Sequence, residues 1–538
     1  MSQTAEDIIK RYDKLEGDRG TWEHHWREIA DRVLPRYSDT FQQPSSTITR
    51  GQKRTEKMFD ATAALGLERF AAVMESMLTP RNQRWHRLKA SDPALNKDRA
   101  TKLWFEEATN TLFKVRYSPQ ANYASQQHEV YIGLGAFGTS AMFSDAHDRG
   151  GLRYSAIDLR ELLFDMNHQG IVDTAYRKFK LTARQMNQRV EVGRWDAIPD
   201  AAKAALKDHP DRAFEIIHCV RPRIEIESGR LDSLGKPFAS FYVSVEGKML
   251  LSEGGFNTFP YAVSRYVTGP GEIYGRSPAM LALPAIKVLN EQKKTLLKQG
   301  HRIVDPVLLS HDDGILDTFS MKPGAMNPGG VTADGKLLVQ TLPTGSLAAG
   351  QELMDMERSV INDAFLVTLF QILVDTPTMT ATEVLERARE KGVLLSPTMG
   401  RQQSEMLGPL IERELDLLVQ QNMLPPLPPA LAEAEGEFEI EYDSPLSRSQ
   451  RSEEAAGWLR TLEAAIAYAN TTNDISVLDQ FDTDIIYPAL AEINAVPASW
   501  MRGSDAVAKI RADRAQAQQT QQVLDAAPGA AGVMKALQ

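Results

Sequence analysis

The chain has 538 residues, of which 42% are hydrophobic and 25% charged, enough for about two to four folded domains. The formal net charge of −10 argues against a protein that binds nucleic acid by wrapping phosphate, but not against one through which DNA slides. Cys219 is the single cysteine, so an intrachain disulfide and a cysteine-rich metal site are excluded. The N-terminus lacks a signal-peptide core and the apolar run at 364–374 is too short to span a bilayer, so we expect a cytosolic protein.

The N-terminal part of the chain is predicted to be helical, with a Ser/Thr/Gln-rich loop at 38–55. From Thr139 to Phe259 the hydrophobic period shifts towards two, which predicts strands. The predicted helices are 4–34, 56–79, 97–116, 119–132, 182–192 and 199–208. The predicted strands are 139–144, 152–158, 171–179, 214–227, 238–245 and 248–252.

A helix, a turn-rich β segment and a second helix are predicted over 277–374. Ser277 is a good N-cap with Pro278 at the first helical position, and Pro284 should kink or restart the helix. The Gly/Pro-rich stretch at 303–346 favours short strands over helix. Two long arms with a small β tip have little core of their own, so we expect them to pack against other copies of the chain.

The second arm is apolar nearly all round from Ala364 to Val374, so this half must be buried on most sides. One antiparallel partner helix cannot cover it, whereas packing between subunits can. We therefore expect Phe365, Leu369 and Ile372 at a subunit interface.

The remainder of the chain is predicted to be mostly helical, with helices at 380–391, 398–422 and 446–522 and a strand at 434–443, which makes the fold class α+β. In that strand, acidic residues alternate with Phe438, Ile440 and Tyr442. A row of carboxylates on one face must be solvated or paired with basic residues, and a cation site or a basic partner is the alternative interpretation.

Gly133 to Gly138 match the dinucleotide fingerprint GxGxxG, with Asp158 at 20 residues beyond the last glycine. The fingerprint requires a strand before it and a long helix after it, whereas here a helical pattern precedes it. Close packing at a helix-to-strand junction is therefore the better interpretation. The loop Gly269–Ser277 has the wrong spacing for a phosphate loop and is expected to redirect the chain into the long helix.

No catalytic, cofactor or metal site is predicted. His24 and His25 are adjacent on a helix and point in different directions, and His311 stands alone in a turn. The histidines have no Ser/His/Asp or Cys/His arrangement around them.

A line of cationic side chains follows the first long arm. At 100° per residue, Lys287, Lys294, Lys298 and His301 fall near one line, flanked by Arg302. This line is either a solvated face or a stripe that meets acidic neighbours or passing phosphate. The candidates for facing a channel or DNA are Lys287, Lys294, Lys298 and Arg302.

Short motifs spread over about residues 5–500 resemble the head-to-tail connecting, or portal, proteins of short-tailed bacteriophages. They are Tyr12-Asp13-Lys14-Leu15 with Arg19 and Trp22; Gly66 to Phe70 with Leu78-Thr79-Pro80 and Trp85; Gly133 to Gly138; Gly271 to Ser277; and Met379 to Val384 with Gly400-Arg401-Gln402.

The resemblance implies a homo-oligomeric ring, usually of twelve subunits, around a DNA channel at one capsid vertex. It implies a wing at 1–276 (helical, then β-rich), stem helices at 277–302 and 347–374, a clip at 303–346, a channel loop with wing helices and the acidic strand at 375–445, and a crown with the C-terminal tail at 446–538. The channel constriction is expected at about 375–400, with Thr376, Thr378, Leu394 and Leu395 as candidates.

The implied function is DNA packaging, DNA ejection and tail attachment in the virion, after assembly in the host cytoplasm. The implied partners are capsid and scaffolding proteins, the packaging motor (terminase), a tail adaptor and double-stranded DNA, with no membrane and no cofactor. ATP hydrolysis would belong to the motor, since the chain has no Walker motif, so we expect no enzyme. The alternatives are another ring-forming tail or adaptor component, or a dinucleotide-dependent enzyme using Gly133 to Gly138.

Overall fold

The computed structural model describes most of the chain in two compact units. The described residues are 2–37, 57–226, 230, 232–310, 320–343, 347–368, 396–434, 437–443, 445–472, 476, 479, 481–493, 496, 498–503 and 506–519. Unit 1 comprises Met1–Thr79, Asn122–Asp148 and Leu152–Asp416, and unit 2 comprises Pro80–Ala121, Arg149–Gly151 and Leu417–Gln538. Among the described helices, none is long and apolar enough to cross a membrane.

The α-helices are the larger part of the ordered structure. They are α1 (Ser2–Asp18), α2 (Gly20–Arg32), α3 (Thr62–Leu78), α4 (Arg99–Arg116), α5 (Tyr123–Phe137), α6 (Ala183–Glu191), α7 (Asp200–Asp208), α8 (Pro278–Val304), α9 (Leu347–Ala364), α10 (Gly408–Gln420), α11 (Pro429–Glu433), α12 (Pro445–Thr472) and α13 (Thr483–Ile493). A π-helical segment, Gln403–Leu407, leads directly into α10.

The strands form four antiparallel sheets in the described residues. They are β1 (His86–Ala90), β2 (Thr139–Ala146), β3 (Leu152–Ile157), β4 (Leu162–Met166), β5 (Val172–Thr182), β6 (Ala213–Pro222), β7 (Phe238–Ser244), β8 (Met249–Phe256), β9 (Tyr261–Arg265), β10 (Leu308–Ser310), β11 (Val339–Thr341) and β12 (Phe438–Tyr442). The strand orders are β4-β5-β6-β7-β8, β3-β2-β9, β10-β11 and β1-β12. The predicted α+β class is confirmed.

The five-stranded sheet of unit 1 has helices on both faces. Because successive strand residues point to opposite faces, Ile217 and Cys219 of β6 pack with α1, while Phe214 and Ile216 pack with α6 and α7. The apolar side chains that α1 contributes are Ala5, Ile8, Tyr12 and Leu15. The helical spacing at the N-terminus therefore encodes one face of this core.

The glycine motif lies at the end of helix α5, followed by strand β2. Gly138 is the left-handed C-cap of α5, with φ of 75°. A Cβ on Gly138 would lie 2.3 Å from the carbonyl oxygen of Gly275, and one on Gly135 would lie 2.6 Å from Leu67. The glycines allow close packing at a helix-to-strand junction, as predicted, and do not precede a helix as a phosphate cradle requires.

In unit 2, a buried arginine lies inside an aromatic cluster. The Arg116 guanidinium is 4.6 Å from the Trp85 ring centroid and 5.0 Å from that of Phe113, and its Nη1 is 2.9 Å from His86 Nε2. Burial and the adjacent Arg116 charge hold the pKa of His86 well below its ordinary value. A neutral His86 is therefore built into the core that α4 and β1 share.

The acidic strand is shorter than predicted and is paired with basic residues. Its predicted start at residue 434 is wrong, because Ala434 is the C-cap of the short helix α11 (Pro429–Glu433) and the strand begins only at Phe438. β12 pairs with β1, which sets Glu439 opposite Lys89 and Glu441 opposite Arg87. Lys89 Nζ lies 3.9 Å from a Glu439 oxygen, and Asp443 forms a second ion pair with Arg87. Cross-strand pairing thus offsets the repulsion between these carboxylates.

Three further differences separate the structure from the sequence predictions. Strands β1, β4 and β9 were not predicted at all. Of the two outcomes predicted for Pro284, the restart is wrong, because α8 continues from Pro278 to Val304, and the kink stays a prediction. The second arm does not run as one helix to residue 374, since α9 ends at Ala364 and Leu366 follows with a left-handed φ of 61°.

Burial in the sheet core makes the Cys219 thiol unreactive. Cys219 has no exposed surface, and burial raises the pKa of its thiol to about 12. We expect a disulfide reagent such as DTNB to label native protein at least about a hundredfold more slowly than protein unfolded in guanidinium. Rapid labelling of one thiol per chain in the native protein would contradict this packing of β6.

Candidate site for assembly and DNA passage

The two predicted stem helices form an antiparallel arm in unit 1. Helix α9 packs along α8 at a close crossing, where a Cβ on Gly350 would lie 2.8 Å from Leu296 Cδ1. Between the two helices, β10 and β11 pair with Leu308 opposite Thr341. Residues 311–319 and 344–346 of the predicted clip lie outside the described residues. The described part of the clip consists of this short ladder and the turns around it.

The start of α8 is anchored in the body of unit 1. The Ser277 hydroxyl accepts a hydrogen bond from Met280 N (3.0 Å) and donates one to the Ala136 carbonyl (2.8 Å). Leu283, Ile286 and Leu289 are buried. The N-cap chemistry predicted at Ser277-Pro278 is confirmed.

The outer half of α8, from Glu291 to Val304, is half-buried or exposed along its whole length. A helix whose outer half contacts mainly one other helix gains little stability from its own chain, since most helical stability in proteins comes from tertiary packing. The structure therefore leaves a large part of the arm surface for other molecules.

A polar clamp that the sequence did not predict holds the two helices to the segment before α3. The Asn290 side-chain oxygen accepts hydrogen bonds from the backbone N–H groups of Phe59 (2.7 Å) and Asp60 (3.2 Å). Arg358 of α9 forms an ion pair with Asp60 at 2.8 Å. The sequence feature that could have indicated this clamp is Asn290, a polar residue next to Leu289 on an otherwise apolar helix face.

One face of the arm carries exposed apolar side chains from both helices. Between the helices lies a groove of about 570 Å³, lined in part by Val288, Leu296 and Leu353. The exposed fractions are 76% for Leu281, 45% for Val288, 54% for Leu353, 68% for Met356 and 53% for Val360. We call these five residues the apolar face. Exposed apolar patches of this kind mark interaction sites.

The candidate channel cations divide into two groups. Lys287 is bound to Glu28 of its own chain at 2.5 Å, and this hydrogen bond holds the pKa of Glu28 below its ordinary value. Lys294 lies 3.7 Å from Glu291 and 5.8 Å from the Phe59 ring centroid. Lys298 and Arg302 are exposed on the outer half of α8. An orientation of all four towards DNA stays a prediction.

The expectation that Phe365 lies at a subunit interface needs correction. Phe365 is 1% exposed, and its ring packs on Gly66 of α3, where a Cβ would come within 3.1 Å. Val367 is also buried in the chain. Because α9 ends at Ala364 and the backbone turns at Leu366, this part of the apolar run enters the core of unit 1.

The other candidate residues cannot be placed. Leu369 and Ile372 of the expected interface, and Thr376, Thr378, Leu394 and Leu395 of the expected constriction, lie outside the described residues. Within the described parts of the chain, no group of three or more His, Cys, Asp or Glu side chains is arranged to hold a metal ion.

Comparison with known proteins identifies the family. The family model of the bacteriophage head to tail connecting protein matches residues 5–501. The chain belongs to this family. The resemblance that the short motifs carry is therefore confirmed across nearly the whole chain.

Two relatives of this connector cover almost all of its length. It is 28% identical over 551 residues to the portal protein of Salmonella phage epsilon15, covering 100% of this chain and 96% of the relative. It is 29% identical over 528 residues to the probable portal protein of Bordetella phage BPP-1, covering 96% and 92%. The predicted head-tail connector function is confirmed, and the connector is a structural component of the phage particle where head and tail meet.

A substitution inside the core and one on the apolar face should behave differently. We expect Phe365→Asp to destabilise unit 1 by at least about 3 kcal/mol, because it removes a buried ring and buries a charge. Met356→Asp, on the exposed part of α9, should destabilise the monomer by no more than about 1 kcal/mol, the cost of Asp in a helix and of repulsion from Glu352. Denaturant unfolding of dissociated chains measures both, and equal stability of the two variants would contradict the placement of Phe365.

Proposed function

We propose that this connector works as a portal: copies of the chain form a ring around a channel through which double-stranded DNA enters and leaves the phage head. The ring, which we take to have twelve subunits, lies at one capsid vertex and also attaches the tail. The observation that carries the proposal is the two-helix arm of α8 and α9, whose apolar face is uncovered in a single chain. A ring of arms covers that face with neighbouring copies and encloses an axial space.

The dimensions of the arm suit a channel wall. The 27 residues of α8 correspond to a helix about 40 Å long at 1.5 Å per residue. A closed ring repeats one interface made of two different surfaces of the same subunit. The net charge of −10 per chain disfavours tight binding of passing DNA, while the exposed Arg302 would allow local, transient contact.

The other partners of the portal are assigned by region. In this proposal the clip at 303–346 binds the packaging motor and the tail adaptor, and the remaining outer surfaces contact capsid and scaffolding proteins during assembly in the host cytoplasm. The described part of the clip region has exposed apolar side chains that suit such contacts, which are Ile303, Val304, Val307, Leu309, Met321, Met326, Val331, Leu337 and Leu342. The chain itself has no catalytic role, and ATP hydrolysis belongs to the separate motor.

Electron microscopy of the purified chain tests the proposal. Class averages should show rings with an axial hole wide enough for a DNA duplex. A compact monomer, or a ring whose hole is too narrow for a duplex, would contradict the portal function and favour a different tail component.

A charge on the apolar face should prevent ring formation without unfolding the chain. We expect Met356→Asp to raise the protein concentration needed for rings by at least about tenfold, because the interface would bury an unpaired carboxylate. Gln351→Asp is the matched control, since Gln351 is exposed on the same helix but points away from the apolar face. Size-exclusion chromatography and microscopy measure assembly, and normal rings from Met356→Asp would count against a role for this face.

A further inference from the structure

The two-helix arm has edges of opposite charge. One edge is the side of α8 that faces away from α9, and the other is the side of α9 that faces away from α8. The charges on these edges were not assigned by the ring proposal, which depends on the apolar face alone.

The free edge of α8 is basic. Leu296 marks the side of α8 that contacts α9 at Gly350. At 100° per residue, Lys294 and Lys298 each lie about 160° from Leu296 around the helix axis, one on either side of the direction opposite to α9. Both lysines are therefore on the side of α8 that faces away from α9. Glu291 lies near this edge too, but it is paired with Lys294 at 3.7 Å. We call Lys294 and Lys298 the basic edge.

The free edge of α9 is acidic. Gly350, Met354 and Ile361 share the packed side of this helix, and the last two are buried. Glu352 and Asp363 lie about 160–180° from Met354, and both are exposed. The basic residue on this helix, Arg358, is turned towards the body by its ion pair with Asp60. We call Glu352 and Asp363 the acidic edge.

The two edges can meet at the same height along the arm. Leu296 lies beside Gly350, and the two helices are antiparallel. Lys294 is two residues before Leu296 on α8, and Glu352 is two residues after Gly350 on α9. Lys294 and Glu352 therefore lie at the same level along the arm. Met356, which is 68% exposed, lies one turn from Glu352 on the adjoining part of α9. The acidic edge thus borders the apolar face.

We propose that in the ring the basic edge of one copy docks against the acidic edge of the next copy, with Lys294 and Lys298 facing Glu352. The proposal rests on the ring assembly proposed above and names the pair of surfaces that closes it. Its basis is charge complementarity between two surfaces of one chain that point in opposite directions, as head-to-tail assembly requires.

This docking gives the cations of α8 a protein partner in place of DNA. If Lys294 and Lys298 faced the channel, the acidic edge of each neighbour would have to be covered by another basic surface or stay in solvent. Edge-to-edge docking satisfies both edges at once. Lys294, Lys298 and Glu352 then pair between copies, while the Lys294–Glu291 and Arg358–Asp60 ion pairs stay within one chain.

Charge reversal tests the docking. We expect Lys294→Glu and Glu352→Lys, each alone, to raise the concentration needed for rings by roughly tenfold or more, because like charges face each other at every interface. The double variant Lys294→Glu/Glu352→Lys should return to within about threefold of the unmodified chain, because the opposite charges are restored. Lys293→Glu, about 100° round the same helix, is the matched control and should assemble normally.

The outcomes separate this docking from the ring proposal. If the unmodified chain forms no ring, the portal proposal itself fails. If it forms rings and both single reversals do so equally well, the edge docking is wrong and the ring stands. Normal rings from Lys294→Glu that retain less DNA would overturn the docking in favour of channel-facing cations.

A cross-link provides a second measurement that does not depend on assembly yield. In one chain the two edges are separated by two helices, each about 10 Å wide, too far for a disulfide, which needs Cα atoms within about 7 Å. Lys294→Cys/Glu352→Cys should therefore give an intersubunit ladder on a non-reducing gel after oxidation. The buried Cys219 should not react, and each single cysteine variant is the control. A double variant that gives assembled rings but no ladder would contradict the docking.

Discussion

The arm of this connector depends on a helix that is buried for its first half and exposed for its second. From Pro278 to Asn290 one side of α8 belongs to the core of unit 1, and beyond Asn290 the helix contacts mainly α9. The Asn290–Asp60–Arg358 clamp lies at the transition between these halves. A buried polar group that is fully hydrogen-bonded specifies one arrangement, since any other would leave the group unsatisfied. This clamp therefore sets the direction in which the outer half of α8 leaves unit 1's core.

A fixed direction matters because a ring multiplies every small error in the geometry of one subunit. Because Gly350 has no side chain, Leu296 packs directly against the α9 backbone and the two helices approach closely. Phe365 then takes the end of α9 into the core against Gly66. The arm is thus held at its base by both helices, and its apolar face is presented to solvent by a well-packed support.

Local chemistry was sufficient to predict parts of this fold. The N-cap at Ser277, the glycine-mediated junction at Gly138 and the core face of α1 follow from residue types at short spacing, which fix conformation through nearest neighbours. The general division into a helical start, a β-rich middle and a helix–β–helix unit follows from hydrophobic period. The charge line on α8 was also visible, because helical spacing brings Lys294 and Lys298 to one side.

Features that depend on distant contacts could not be predicted in this way. Strand β1 pairs with β12, which is about 350 residues away in the chain. No local sequence pattern predicts a pairing partner at that distance. Helix α9 ends inside an apolar run because Leu366 adopts a left-handed φ, which usually requires glycine. The sequence therefore suggested that Phe365 needs cover from another subunit, whereas the fold covers it from α3. An apolar residue in the sequence indicates that its side chain will be buried. It does not indicate whether the same chain or another subunit covers it.

The apolar face and the charged edges contribute differently to the proposed ring. Burial of apolar area is non-directional, so the apolar face alone would also stabilise a two-fold dimer in which like surfaces meet. Charged edges remove that ambiguity. Two α8 edges brought together would set Lys294 and Lys298 against the same lysines, and two α9 edges would set carboxylate against carboxylate, which costs free energy in both cases. Head-to-tail contact is the arrangement in which both edges find opposite charge, and it is also the arrangement that can close a ring. The edges therefore select the symmetry of the assembly, while the apolar face supplies its stability.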